Sequence, residues 1–353
     1  PYYSVIGGWV IKYFAVFISG NGAKAATDTY FNEFISSTAE PIGWFFLFIA
    51  FTAVVVLLGV QKGIETVSKF MMPVLVLLSV GIALYGLTVD GAMEGLIYYL
   101  KPSFENFSIK TVLAAMGQLF YSMSLAMGIM VTYGSYMKKD NNLESSVRQI
   151  EIFDTGIAFL AGLMIIPGVF AFSGGTAESL NQGPGLMFVT LPKVFDSMPM
   201  GDVIGTLFFL LVFFAALTSA ISLMETIVSI LRDKFHWKRK FTCGVVTIIA
   251  LLMGLPSSLG FGMWSHIKFI GLSILDTFDF ISNSVLMPIL AFFTCIFVGF
   301  VIKPKTIADE VKIGNTQFKG ERLFSVMIKW IAPVCLIAIL VSSILNALGI
   351  IVL

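Results

Sequence analysis

The stretch Gly117-Gln118-Leu119-Phe120-Tyr121-Ser122-Met123-Ser124-Leu125-Ala126-Met127-Gly128 decides how this chain is read. It lies inside an apolar run over about 111–137, yet carries an amide, two serine hydroxyls and two glycines near its middle. A straight crossing of a bilayer needs only about 20 residues, so the run is too long for one and too polar to face lipid. Two readings are open. One is a tilted helix whose hydroxyls bond back to their own carbonyls. The other is a helix broken around 121–128, whose freed carbonyls and half-helix ends bind ions and substrate at mid-membrane.

The surrounding composition makes the membrane setting firm. Of 353 residues 57% are hydrophobic and 12% are charged, about half the charge of a soluble domain. The formal net charge is +1 and no basic tract stands outside short loops, so nucleic acid is excluded as a partner and the lipid bilayer is the expected one. Cys243, Cys295 and Cys335 sit in apolar runs, where thiols behave as small hydrophobes. Apolar runs fall at about 1–20, 41–60, 71–89, 111–137, 149–173, 203–231, 241–256, 274–302 and 323–350. They are continuous, without the alternation of a barrel strand, so an all-α integral membrane protein with nine visible helices is expected.

Loop charge sets the direction of those helices. Four alternate segments (61–70, 138–148, 232–240 and 303–329) hold 16 of the 22 basic residues, and the intervening loops hold five. Positive residues gather on the cytoplasmic side, which makes 303–321 a cytoplasmic loop and 174–200 an extracellular one. The chain opens at Pro1 inside an apolar run with no signal-peptide pattern, so a start truncated within a longer reading frame is expected.

Polar groups inside the spans are the candidates for function. Ala215-Ala216-Leu217-Thr218-Ser219-Ala220 combines small residues, which suit close helix packing, with two adjacent hydroxyls. Hydroxyl and carbonyl oxygens are also what a hard cation such as Na⁺ requires, by extension from Ca²⁺ and Mg²⁺. Ionisable residues within spans are costly and mark function by default; here they are Lys12, Glu151, Asp154, Glu225, Asp276 and Asp279. Lys12 can snorkel and Glu151 can lie at the cytoplasmic interface, whereas Asp154 and Asp279 are harder to dismiss.

Taken in order along the chain, these residues resemble the neurotransmitter/sodium symporter family, in particular its bacterial amino-acid members. The resemblance begins at Tyr2-Tyr3 and Trp9, similar to the family's third helix. It continues through Gly63 and Pro73 in the fifth, Gly117-Gln118 to Leu125 and Thr132 to Tyr136 in the broken sixth, and Gly183-Pro184-Gly185 with Phe188 to Pro192 in an outer loop. Phe213 to Ser219 match the eighth helix, and Asp276 with Asp279-Phe280 the tenth. No single motif is specific; the ordered set is. It implies a LeuT-like inverted-repeat transporter fold in a single transporter domain over 1–353, with family helices 3–11 visible, extracellular loop helices at 174–200, and the first two helices of an eleven-helix protein missing.

The resemblance also implies a site. Ala215 carbonyl with the Thr218 and Ser219 hydroxyls would form part of one sodium site. Ser122, with Asp154, would belong to a second sodium site that touches the substrate carboxylate. Tyr3 would bond that carboxylate, Tyr121 would close over the substrate, and Ile6, Ser124, Met127, Ala220 and Leu223 would line the side-chain subsite. Asp279 would serve an outer gate, and Asp233 with Tyr136 a cytoplasmic one. Asp154 stands about where animal relatives hold chloride, so transport independent of chloride is expected. The missing helices would supply the gate arginines and half of the pocket, so this stretch alone should not transport.

The expected function is Na⁺-coupled symport, by alternating access, of a neutral, hydrophobic or aromatic L-amino acid in a bacterial inner membrane, with two Na⁺ ions and no organic cofactor. A proton-coupled amino-acid carrier of related broken-helix architecture is the alternative; it would lack the sodium ligands at Thr218 and Ser219. A channel would show rings of charge or carbonyls. An enzyme is excluded as the leading reading, because His236 and His266 lie in loops on opposite sides of the membrane and no nucleophile–base pair stands out.

Overall fold

In the computed structural model, residues 2–104, 107–139, 141–173, 183–313 and 317–347 are described. Among the described residues seven helices are long and apolar enough to cross a bilayer: Ala39–Leu58, Val60–Gly86, Leu143–Ser173, Gly201–Phe235, Arg239–Leu259, Ile274–Ile302 and Glu321–Ala347. With Tyr3–Ile18 and the pair Ile109–Ser122 and Ile129–Tyr136, they account for the nine apolar runs. Helices prevail because a backbone in hydrocarbon must satisfy its own N–H and C=O groups. The basic segments are shorter as loops than the charge pattern suggests. Leu143–Ser173 begins before Arg148, Gly201–Phe235 ends just short of Arg239–Leu259, and Pro304–Ile313 forms a helix inside the 303–321 segment. Of the 174–200 segment, residues 174–182 lie outside the described residues; the remainder forms the short helices Leu186–Thr190 and Leu191–Ser197.

The chain divides into two compact units, Pro1–Pro102 with Ile157–Asp276 and Ser103–Gly156 with Thr277–Leu353. The first is built around an aromatic core. Trp9, Tyr13 and Phe17 recur at four-residue spacing on Tyr3–Ile18 and are essentially inaccessible to solvent, as one helix face requires. They meet Phe31, Phe188, Phe195 and Phe209 in edge-on and stacked pairs; Phe31 and Phe188, for example, lie 5.3 Å apart at 12°. Such contacts contribute beyond the area they bury. The Tyr13 hydroxyl donates to the Phe188 carbonyl at 2.8 Å, so the outer-loop helix that carries Phe188 is anchored in this core.

Tyr3–Ile18 can approach Ala39–Leu58 this closely because Gly8 presents no side chain. A Cβ at Gly8 would stand 2.6 Å from the Phe45 nitrogen and 2.8 Å from the Trp44 carbonyl carbon. Both are backbone atoms, which cannot rotate away. Small residues at crossings do for membrane helices what apolar burial does in water.

Two of the intramembrane charges in this unit, Lys12 and Glu225, are paired. Lys12 pairs with Glu40 and lies over the rings of Tyr30 and Phe34, at 5.8 and 5.9 Å from their centroids. Glu225, fully buried, accepts two bonds from Arg239 at 3.0 and 2.5 Å, and Arg239 also donates to the Val56 carbonyl at the end of Ala39–Leu58. A buried carboxylate is tolerable when paired and hydrogen-bonded in this way.

The second unit has a smaller core, in which Ala291, Cys295 and Leu336 pack with Phe120, Ala126, Phe292, Ile328 and Ala332.

Replacing Gly8 by Ala is expected to destabilise the protein by about 1–3 kcal/mol, the usual result of overpacking. Thermal unfolding of full-length protein in detergent checks this. Gly43→Ala, on the same helix pair with nothing within 4 Å of the new methyl, should leave the midpoint unchanged or higher.

Candidate ion and substrate site

The helix that opens the decisive stretch does break. Ile109–Ser122 ends at Ser122, Ile129–Tyr136 begins after Gly128, and residues 123–128 run as turn between them. The stop is a Schellman closure: Leu125 N–H donates to the Phe120 carbonyl at 3.2 Å and Ser124 N–H to the Tyr121 carbonyl at 3.0 Å. That closure needs a left-handed residue, normally glycine, and here Ser124 takes it at φ 55°, followed by Ala126 at φ 60°. Only Gly128, at φ 77° before the second half-helix, adopts such an angle without cost. Two non-glycine residues in the left-handed region cost about 1–2 kcal/mol each, and strain of that kind collects at functional sites. The tilted, continuous helix is thereby ruled out.

At the break stands a charge. The Ser122 hydroxyl donates to Asp154 Oδ1 at 2.6 Å, and both residues are half-buried. Asp154 arrives from the early part of Leu143–Ser173. The bond is short, as charge-assisted O–H···O⁻ bonds are, and it leaves lone pairs on both carboxylate oxygens. A fixed negative charge next to uncoiled backbone, in a low-dielectric setting, is an attractive place for a cation.

Within the same unit Tyr121 and Asp279 line one cavity of about 360 Å³ with Gly117, Gln118, Asn283 and Ser284. Asn283 Nδ2 donates to Asp279 Oδ1 at 2.6 Å. Asn283 and Ser284 were not singled out from the sequence; the four-residue spacing of Asn283 from Asp279 on a helical run is the signal that could have found Asn283. Ser124 and Met127 are half-buried in the turn, and Tyr136 is exposed at the end of the second half-helix, 6.4 Å from Tyr133 ring to ring.

The remaining predicted residues belong to the other unit. On Gly201–Phe235 the Thr218 hydroxyl donates to the carbonyls of Ala215 and Phe214, at 3.0 Å each. The Ala215 carbonyl and the Thr218 hydroxyl are thus adjacent oxygens on one helical turn, with Thr218 buried and Ser219 exposed beside it. Ala220 is buried and Leu223 half-buried on the same helix. Tyr3 and Ile6 are half-buried in the first turns of Tyr3–Ile18, and Asp233 is exposed at the end of Gly201–Phe235. Among the described residues no group of three or more His, Cys, Asp or Glu side chains could hold a transition metal. The cation chemistry on offer is that of hydroxyl, carbonyl and single carboxylate oxygens.

The family model for the sodium:neurotransmitter symporter family matches residues 35–350. The chain belongs to that family. Among its relatives, the uncharacterized sodium-dependent transporter YhdH of Bacillus subtilis is 35% identical over 99% of this chain and 76% of its own length. A sodium-dependent transporter of Haemophilus influenzae is 33% identical over 97% of this chain and 75% of its own. The crystal structure of MhsT in complex with L-phenylalanine is 37% identical, with a TM-score of 0.85 over 97% of this chain and 77% of that one. A more distant relative, the sodium- and chloride-dependent glycine transporter 1 of Xenopus laevis, is 27% identical over 74% of this chain and 41% of its own length. The protein is thus a sodium-dependent symporter and a multi-pass membrane protein with the LeuT-type fold, and not an enzyme.

The strained turn gives this symporter a testable signature. Ser124→Gly is expected to raise thermal stability by about 0.5–1 kcal/mol, the relief of a left-handed residue less the added chain entropy. Ser124→Val, β-branched at the same angle, should lower it by more than about 1 kcal/mol. Both are read as shifts in the unfolding midpoint of the full-length protein.

Proposed function

We propose that this protein couples the inward movement of Na⁺ to uptake of a neutral, hydrophobic or aromatic L-amino acid, independently of chloride. The observation that carries the proposal is the Ser122–Asp154 bond at the helix break. It sets a permanent negative charge beside the uncoiled backbone, so one bound Na⁺ needs no added anion. In this reading the chain would differ from a relative whose name includes chloride dependence.

In this reading two Na⁺ ions bind, one at the Ala215, Thr218 and Ser219 oxygens and one at Ser122 with Asp154. Tyr3 bonds the substrate carboxylate and Tyr121 closes over the amino acid. Ile6, Ser124, Met127, Ala220 and Leu223 form an apolar or small lining. Met127 brings a flexible thioether that adapts to different ring and branched shapes. The complex of MhsT with L-phenylalanine supports an aromatic substrate. Asp279 acts in an outer gate, and Asp233 and Tyr136 in a cytoplasmic one. A gradient of 100 mV contributes about 2.3 kcal/mol per charge; two ions therefore supply about 4.6 kcal/mol, enough to concentrate a solute more than a thousandfold.

Uptake of labelled phenylalanine, tyrosine, tryptophan and leucine into proteoliposomes containing the full-length protein tests this. Uptake is expected in sodium with chloride replaced by gluconate, and to be lost in potassium or choline. Stronger competition by lysine or glutamate than by the apolar amino acids would contradict the substrate class. Uptake driven equally by a proton gradient without sodium would support proton coupling instead.

The charge argument is tested separately by Asp154→Asn. Removal of the carboxylate is expected to reduce uptake in gluconate at least about tenfold, equivalent to about 1.4 kcal/mol, with recovery when chloride is added. Unchanged uptake in gluconate would contradict the role given to Asp154.

A further inference from the structure

Beyond the transport site, the second unit contains a cavity of about 380 Å³ where Ile274–Ile302 ends and Glu321–Ala347 begins. Lys303, Lys305, Lys329, Glu321, Ser325 and Phe300 line it. Three of these six side chains are cationic, in the segment that the loop-charge pattern assigns to the cytoplasm.

The cavity's one carboxylate is already engaged. Glu321 accepts a bond from Lys312 at 2.7 Å, and this bond holds the Lys312 ammonium above the ordinary lysine range. Among the described residues, no ion pair involves Lys303, Lys305 or Lys329. The cavity therefore holds three lysines with no ion-pair partner among the described residues.

Two backbone features mark the lysines at these positions. Lys303 has φ 73°, a conformation that glycine would adopt without strain and lysine does not. The stem of Lys329 lies across Gly299, where an added Cβ would meet its Cγ at 3.2 Å. Gly299 thus leaves room for the lysine stem.

The flank of the cavity is apolar and outward-facing. Phe300 and Trp330 pack edge-to-face at 6.1 Å, and Trp330, Val301 and Leu323 are each about two-thirds exposed. Tryptophan at the end of a membrane helix belongs at the headgroup level. A soluble anion would need the lysines but not this flank; a molecule with a charged head and acyl chains would use both.

We propose that this cavity binds the phosphate headgroup of an anionic phospholipid of the cytoplasmic leaflet, with Lys303, Lys305 and Lys329 on the phosphate, Ser325 as an added donor, and the acyl chains along Phe300 and Trp330. Basic pockets between membrane helices on the cytoplasmic side suit such headgroups.

Native mass spectrometry of the full-length protein, titrated with phosphatidylglycerol or phosphatidylcholine, tests the proposal. The variant Lys303→Gln, Lys305→Gln, Lys329→Gln is expected to lose affinity for phosphatidylglycerol about tenfold and to bind phosphatidylcholine as before. A charge-matched control, Lys138→Gln, Lys139→Gln, Lys240→Gln, should stay within about twofold of the parent. Equal affinity of the two variants for phosphatidylglycerol overturns the proposal. So does displacement of the lipid by equimolar inorganic phosphate, which would mark a free-anion site. If the triple variant fails to fold, Lys303→Gly decides the matter. It relieves the backbone and should raise the unfolding midpoint while weakening phosphatidylglycerol binding. A raised midpoint with unchanged lipid binding overturns the proposal.

Discussion

A polypeptide in hydrocarbon has no water to bond, so every backbone group left out of a helix must find another partner. Among the described residues the apolar spans meet this constraint as helices, and the turn 123–128 interrupts what would otherwise be one of them. There the chain does not merely fray. It closes one half-helix with a Schellman turn, accepts left-handed angles at Ser124 and Ala126, and restarts at Gly128. A break placed at that depth is costly in the free protein. It leaves uncoiled carbonyls and half-helix ends beside the Ser122–Asp154 pair, which in the proposed function would give a dehydrated cation its oxygens and charge.

Charge in the spans follows the same logic. Lys12 has Glu40, Glu225 has Arg239, and Asp279 has the Asn283 amide. Asp154, like Asp279, differs from the two ion pairs because its partner is a neutral group, here the Ser122 hydroxyl. Its charge stays uncompensated by the described side chains that the hydrogen bonds place on it, which is why a sodium role fits Asp154 better than Glu225. Glu225, fully buried and held by two guanidinium bonds, has the arrangement of a structural tie between Gly201–Phe235, Arg239–Leu259 and the end of Ala39–Leu58.

Much of this was readable in the amino-acid sequence. Continuous apolar runs dictated helices, and the hydroxyls and glycines between Gly117 and Gly128 marked the break, because polar groups within an over-long span are hard to place otherwise. The pairing of Ser122 with Asp154 was implied only by resemblance, since 32 positions separate them and no periodicity links distinct helices. The partners of Lys12 and Glu225 could not be read for the same reason: Glu40 and Arg239 lie on other helices, 28 and 14 positions away. The extent of the basic loops was overestimated, because lysines and arginines at helix ends count as loop in a charge pattern yet remain helical. Anchoring of the outer loop by Phe188 was likewise hidden, an aromatic among aromatics in the sequence.

The account's central claim is that sodium engages the break itself. Amide hydrogen exchange of the full-length protein in nanodiscs, compared in sodium and in potassium, tests it most directly. Peptides covering 119–132 should exchange more slowly in sodium, while peptides from the aromatic core around Tyr13 should not change. Identical exchange across 119–132 in the two cations would contradict the account.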